Sequence, residues 1–185
     1  MGIDKSMVDY HGEPQRYYLY DILRTLCDRV FISCNQNQSS SIFSQYEFII
    51  DDEKHSAIGP MAGLLSAFEK FPSSSFLLAG CDYPFIGKNE ISQLIESREQ
   101  AGYATCFFNS SSQIKEPMLC IYESKCFRVI QENFNKKKYS LRHFLEEINA
   151  NGITPTSGEI LKSIDDPESF QRVKKSIRTT NEQMN

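Results

Sequence analysis

The sequence predicts an α/β fold: a three-layer, mostly parallel sheet covered by helices. Three observations carry that expectation. Short apolar runs that read as strands alternate with stretches that are apolar at helical spacing. One run, Phe76-Leu77-Leu78-Ala79-Gly80, is continuously apolar, as expected of a strand buried on both faces. No internal repeat and no linker rich in Gly, Pro or Ser divides the 185 residues. Residues 1–178 therefore read as one domain and residues 179–185 as a polar tail.

The elements follow in order. Residues 14–27 place Tyr18, Ile22, Leu23 and Leu26 at helical spacing behind Pro14, a residue suited to a helix start. Residues 29–34 read as a strand centred on Val30-Phe31-Ile32, and residues 35–41 as a polar loop. Phe48-Ile49-Ile50 is a second strand, ending on Asp51-Asp52. Gly59-Pro60-Met61-Ala62-Gly63 leads into a helix carrying Leu64, Leu65 and Phe68. The apolar run at 76–80 stops on Cys81-Asp82-Tyr83-Pro84. A helix over 89–100 buries Ile91, Leu94 and Ile95; strands follow at 103–108 and 118–122, and helices at 126–134 and 141–148. A last strand-like piece precedes Pro167, and a final helix runs toward Ile177.

Composition narrows the function. With 40% apolar residues, 13 Phe and no Trp, the chain has a globular make-up. A formal net charge of −4 argues against a nucleic-acid groove, which needs a basic stripe. The one dense basic run, Lys136-Lys137-Lys138, reads as a solvated helix end. No apolar run approaches the length of a membrane span, and the N-terminus has no signal-peptide core. The six cysteines form no Cys-x-x-Cys pair, so they read as reduced, buried thiols of a cytoplasmic protein. His11, His55 and His143 lie far apart and are assigned no metal.

In parallel sheets, ligands sit beyond the carboxyl ends of the strands. Three expected strands end there on polar residues: Ser33 and Asn35, Asp51 and Asp52, and Asp82. A carboxylate at such an end is a natural Mg²⁺ ligand, because hard cations take oxygen donors. Asp82 is the best placed, between a wholly apolar strand and the turn at Pro84; capping that turn is an equally good account of it. Gly59 and Gly63 either let a loop enter a helix packed closely on the sheet, or bring backbone N–H groups up to a nucleotide.

These residues resemble the molybdenum cofactor guanylyltransferases, the MobA family. Met1-Gly2-Ile3-Asp4-Lys5 looks like the end of the family's opening signature, Leu-Ala-Gly-Gly-x-Ser-x-Arg-Met-Gly-x-Asp-Lys. The same residues superficially fit a myristoylation pattern with Ser6, which the resemblance explains better. Asp52 followed by Gly59-Pro60-Met61-Ala62-Gly63-Leu64-Leu65 is similar to the family's Asp…Gly-Pro-Leu-x-Gly-Leu run. Cys81-Asp82-Tyr83-Pro84-Phe85 resembles its Pro-Cys-Asp-Met-Pro-Phe element, and Glu116-Pro117 stands at its His-Pro or Glu-Pro pair. Ser140-Leu141-Arg142-His143-Phe144-Leu145 looks like its Ser-Leu-Arg-x-Phe-Leu helix. The ordered set covers nearly the whole chain.

The resemblance implies a Rossmann-like nucleotidyltransferase that moves GMP from GTP to the phosphate of molybdopterin and releases pyrophosphate. It implies Lys5 and Asp82 as catalytic residues, with Asp82 also holding Mg²⁺. Nucleotide binding would fall to Lys5, Ser33, Asn35, Asp52, Gly59, Pro60, Gly63 and Asp82. Other cofactor-biosynthesis or acceptor proteins are implied as further partners. Two departures keep alternatives open. The signature's beginning, with the strand before it, is absent, so the expected start lies upstream of Met1 or the chain is a non-catalytic binding module. Ser163-Ile164-Asp165-Asp166-Pro167 replaces the family's Asn-x-Asn-x-Pro element, which leaves a different acceptor or base, such as a cytidylyltransferase relative, in play.

Overall fold

The structure, a computed structural model, describes residues 4–162 and positions 170, 173, 174 and 177. A 3₁₀ turn, Lys5–Met7, precedes helix α1 (Gln15–Leu23) and strand β1 (Ile32–Cys34). Then come α2 (Gln36–Ser39), β2 (Phe48–Ile50), α3 (Met61–Lys70) and β3 (Phe76–Ala79). The second half carries α4 (Lys88–Glu96), β4 (Ala104–Asn109), β5 (Ile114–Tyr122), α5 (Cys126–Asn135), α6 (Leu141–Glu147) and β6 (Asn151–Ile153). Among the described residues the strands form two ladders: β1 with β2, and β3-β5-β4-β6.

The fold is α/β and mostly parallel. β1 pairs parallel with β2, and β4 with β6. β3 and β4 both run antiparallel to β5, and therefore share a direction. The two ladders also share a direction. Phe31 and Phe71, which precede β1 and β3, stack with centroids 5.3 Å apart, so the amino ends of those strands are neighbours. At the other ends, the charge of Arg16 reaches both Cys34, the last residue of β1, and Cys81, just past β3. Among the described residues β5 alone runs against the rest.

Side-chain alternation along the strands divides the core. On one face, Cys120 and Tyr122 of β5 pack with Met61, Leu64 and Phe68 of α3 and with residues of α5 and α6. On the other, Leu119 and Ile121 pack with Leu19 of α1 and with Ile91 and Leu94 of α4. The two helix layers with the sheet between them are the three expected layers. The β4–β5 register shifts between Cys106 and Phe108, a bulge opposite Glu116 and Pro117. Proline fits there because it has no N–H to give the ladder.

Three local expectations are corrected, and one strand is added. Residues 35–41 are not all loop: Asn35 and Gln38 form a capping box that winds the single turn of α2. β1 is shorter than residues 29–34, because its ladder with β2 spans only Ile32–Cys34. β3 is half-buried along its whole length rather than buried on both faces, since one of its edges faces a cleft. β6, too short and too polar to signal itself, is an edge strand on β4; Gly152 lets it approach, for a Cβ there would meet Phe108 Cβ at 3.1 Å. The strand-like piece before Pro167 and the tail at 179–185 lie outside the described residues, while positions 170, 173, 174 and 177 are helical, as expected of the last helix.

Candidate active site

The carboxyl ends of β1, β2 and β3 meet the Lys5–Met7 turn at the mouth of a cleft of about 860 Å³. A chain of hydrogen bonds fixes that turn. Asp4 caps it, accepting from the backbone N–H and the hydroxyl of Ser6 at 3.0 and 2.7 Å. Gln38 Nε2 donates to the other oxygen of Asp4 at 2.9 Å, and Gln38 N–H donates to Asn35 Oδ1 at 3.0 Å. Burial pushes the Asp4 pKa up, but the bonds from Ser6 and Gln38 and the charge of Arg16 outweigh it and hold the group below its ordinary value. Lys5 is thereby tied to the end of β1, and Asn35 acts as the anchor of that tie.

Beside it, Ser33 of β1 donates to Asp51 Oδ1 at 3.1 Å. Half-burial raises the Asp51 pKa, and the Ser33 bond works against that rise. Both residues lie over Gly63 of α3. A Cβ on Gly63 would sit 2.2 Å from Ser33 Oγ and 3.4 Å from Asp51 Oδ1. Gly59 turns the chain into α3 with φ +67°, a conformation that favours glycine. Ser33, Asp51, Gly59, Pro60 and Gly63 all line the cleft.

The third corner is the turn after β3. Asp82 folds back over the strand end: its Oδ1 lies 2.6 Å from the place a Cβ on Gly80 would take. The next residues are held on both sides. His11 Nε2 donates to the Pro84 carbonyl at 2.9 Å, with the His11 ring stacked on Tyr18. Tyr83 hydroxyl donates to Glu116 Oε2 at 2.9 Å, across to the bulge of β5. Burial raises the Glu116 pKa, the Tyr83 bond and Arg142 oppose the rise, and the negative charge of Asp82 adds to it. Burial, then the nearby Glu116 and Asp82 charges, push the Tyr83 phenol up as well.

The expected residues take different places. Ser33, Gly59, Pro60 and Gly63 line the cleft, and Lys5 and Asp82 stand in the segments that border it, next to Ser6 and Cys81. Asp52 does not line it. It caps the 3₁₀ turn Glu53–His55 and pairs with Lys54 at 3.3 Å, with its side chain exposed. Asp51 takes the inward place. Strand parity was the signal: Ile49 is buried, Asp51 shares its face, and Asp52 faces away. Glu116 and Tyr83 carry no comparable signal, because a bulge and a turn bring them together. Among the described residues no group of three or more His, Cys, Asp or Glu side chains is placed to hold a metal.

A family model described as "MobA-like NTP transferase domain" matches residues 1–152. The chain belongs to that family. Among relatives of this MobA-like chain is the molybdenum cofactor biosynthesis bifunctional protein of Synechocystis, 25% identical over 94% of the chain. The chain spans only 50% of the length of that relative. The molybdenum cofactor guanylyltransferase of Pseudomonas fluorescens is 27% identical, with 90% of this chain and 83% of the relative covered. The crystal structure of molybdopterin-guanine dinucleotide biosynthesis protein A from Archaeoglobus fulgidus superposes with TM-score 0.77 at 19% identity, covering 96% of this chain and 92% of that one. A cytidylyltransferase acting on 2-C-methyl-D-erythritol 4-phosphate, from Thermus thermophilus, superposes with TM-score 0.67 at 10% identity, covering 94% and 93%. At those identities the likeness to the two structures shows the fold alone.

Two predictions follow from this geometry. Gly63→Ala drives a methyl into Ser33 Oγ and breaks its bond to Asp51, so unfolding stability drops by about 1–3 kcal/mol. In Ser33→Ala/Gly63→Ala the clashing oxygen is gone, and most of the loss is recovered; urea denaturation of the singles and the double measures it, and an equal loss in both backgrounds would place the clash elsewhere. Glu116→Gln keeps an acceptor for Tyr83 and removes a charge that burial disfavours. A carboxyl with a raised folded pKa costs stability once pH climbs above its unfolded value, here 4.5. Glu116→Gln is therefore expected to melt above wild type at neutral pH, with the gap closing as pH falls toward 4.5; a gap constant with pH would remove ionisation as the cause.

Proposed function

We propose that this chain transfers GMP from GTP to the terminal phosphate of molybdopterin. The observation that carries the reading is the convergence of Lys5, Ser33, Asp51, the Gly59–Gly63 entry of α3 and Asp82 at one mouth of the sheet, in a chain of the MobA-like family. The guanylyltransferase names of several relatives supply the substrates.

In this reaction an oxygen of the acceptor phosphate attacks the α-phosphorus of GTP. A new P–O bond forms there, the bond between the α-phosphorus and the bridging oxygen to the β-phosphorus breaks, and pyrophosphate leaves with the electron pair. Negative charge grows on the phosphates during attack. Lys5, held beside the end of β1 by the Asp4–Gln38 tie, offsets part of it. Asp82 is the residue that would hold magnesium. One carboxylate at a strand end suits an ion that keeps several waters and takes further oxygens from substrate phosphates. When bound, magnesium neutralises charge on the phosphates. Gly80 leaves room for the Asp82 carboxylate, and the His11 and Gln15 bonds to the 83–84 backbone hold the turn that carries it.

On the nucleotide side the proposed lining is Ser33, Gly59, Pro60 and Gly63, with Asn35 fixing the adjoining turn through Gln38. Asp51 takes the place that the resemblance gives to Asp52. An ionised carboxylate only accepts hydrogen bonds, and guanine offers two adjacent donors, its ring N–H and exocyclic amine. Cytosine offers one donor beside an acceptor, so the same carboxylate favours GTP over CTP.

Isothermal titration with Mg²⁺ and each of GTP, CTP and ATP tests the base; tighter or equal CTP binding would overturn the guanine reading. Asp82→Asn is expected to lower turnover at least about a hundredfold while leaving the melting temperature in place. Turnover within a few-fold of wild type would remove Asp82 from the mechanism, and a collapse in melting temperature would make it a turn cap.

A further inference from the structure

His55 is buried, with 2% of its surface exposed, and nothing in the reaction above uses it. It closes the 3₁₀ turn after β2, within the loop that joins Asp51 to Gly59. Both ends of that loop line the cleft, while residues 52–58 between them do not. Whatever holds the middle of the loop therefore decides how its two ends are presented.

A carboxylate only accepts hydrogen bonds, so in the 3.1 Å contact between His55 Nε2 and Glu69 Oε1 the imidazole donates. Glu69 belongs to α3, and its other oxygen takes Lys54 Nζ at 2.9 Å. Lys54 adds little to the hold, since its side chain is more than half exposed and such pairs are screened by solvent. The His55 ring also meets Phe134 of α5 edge to face, with centroids 4.8 Å apart. Its Nδ1 is buried and has no hydrogen-bond partner. A buried polar atom without a partner costs stability, and an apolar side chain would avoid that cost. What the imidazole supplies in exchange is the bond to α3.

The loop is one that needs holding. Ala57 has φ +63°, a left-handed conformation that costs an L-residue energy and persists only where the surroundings impose it. On the other side of His55, the Asp52 N–H donates to Ser66 Oγ of α3 at 2.9 Å. His55 grips the loop between that bond and the strained residue. It also lies near the inward carboxylate: burial raises the Asp51 pKa, and the Ser33 bond and the charge of His55 both oppose the rise.

We propose that His55 is a positioning residue of the nucleotide site: through Glu69 it pins the 52–58 loop to α3 and so sets Asp51 and Gly59 against the base. The inference rests on the guanylyl-transfer reading for the identity of the nucleotide. His55 touches no substrate and acts only through the loop.

The test compares the chain with His55→Leu, which fills the space and cannot donate, and with His55→Gln, whose amide nitrogen can take the place of Nε2. Amide hydrogen exchange at residues 51–56 is read without nucleotide. Titration calorimetry with Mg²⁺, well below the melting temperature, gives the affinity for GTP and for tripolyphosphate, which has no base. In His55→Leu, exchange is expected to quicken about tenfold and GTP affinity to fall about tenfold, with tripolyphosphate affinity within about twofold; His55→Gln is expected to recover most of both losses. Unchanged exchange in His55→Leu overturns the proposal. So does GTP affinity within about twofold of wild type, or an equal fall for tripolyphosphate, which a general loss of structure would give. Glu69→Ala removes the same bond from a partly exposed position and is expected to give the same changes, so it decides the matter if His55→Leu does not fold. If the unsubstituted chain binds no GTP, the guanylyl-transfer reading fails, and the exchange rates alone support or overturn the hold of His55 on the loop.

Discussion

Strands that run in one direction must all turn at the same end, and that constraint gathers the residues of the candidate site. β1, β2 and β3 each carry a polar residue at or just past their carboxyl ends, and because the three strands point the same way, Ser33, Asp51 and Asp82 come to one side of the sheet without any direct link in sequence. The helices between the strands act as return paths, and α3 does so with a small residue where it passes over β1 and β2. Had one of these strands been reversed, its polar end would lie a full strand length away. β5, which does run in reverse, contributes to the site through its bulge near the start of the strand, where Glu116 reaches Tyr83.

The same alignment explains how polar groups survive at the mouth. Asp4, Gln38, Asn35 and Ser6 satisfy one another in a short chain that spans the 3₁₀ turn and α2. Ser33 and Asp51 form a second such unit, and Tyr83 with Glu116 a third. Each unit pairs a carboxylate with a donor from a different element, so the elements are fixed relative to each other by the groups that border the site. The charges are not neutralised in these pairs. Asp51 and Glu116 stay above their ordinary pKa values because burial outweighs their partners, while Asp4, with more donors, falls below.

Much of this was legible from residue order. The alternation of apolar runs placed most of the strands and helices, and the polar residues closing three of those runs pointed to the end of the sheet where the cleft opens. Periodicity also held the answer to which aspartate turns inward, since Asp51 and Ile49 share parity. What the sequence did not reveal is long-range. The Tyr83–Glu116 bond joins residues 33 positions apart through a bulge, and no local pattern encodes it. β6 was missed because three residues, Asn151-Gly152-Ile153, carry almost no hydrophobic signal and owe their conformation to β4. The half-burial of β3 was invisible for the opposite reason: its sequence is that of an interior strand, and only the arrangement of its neighbours shows that one edge is open.

Gly63 and Gly80 look alike in the sequence, yet they fail differently under substitution. At Gly63 the added atom meets β1 and β2, two elements of the scaffold, so a change there is felt as a loss of folding. At Gly80 the added atom meets a carboxylate oxygen of Asp82 at 2.6 Å, and beside it Met118 Cβ of β5 at 3.0 Å and Tyr83 Cδ2 at 3.2 Å, so it presses on the turn after β3 and on the strand next to it. A side chain at position 63 therefore disturbs how the first two strands meet α3, while one at position 80 disturbs how the turn after β3 seats against β5.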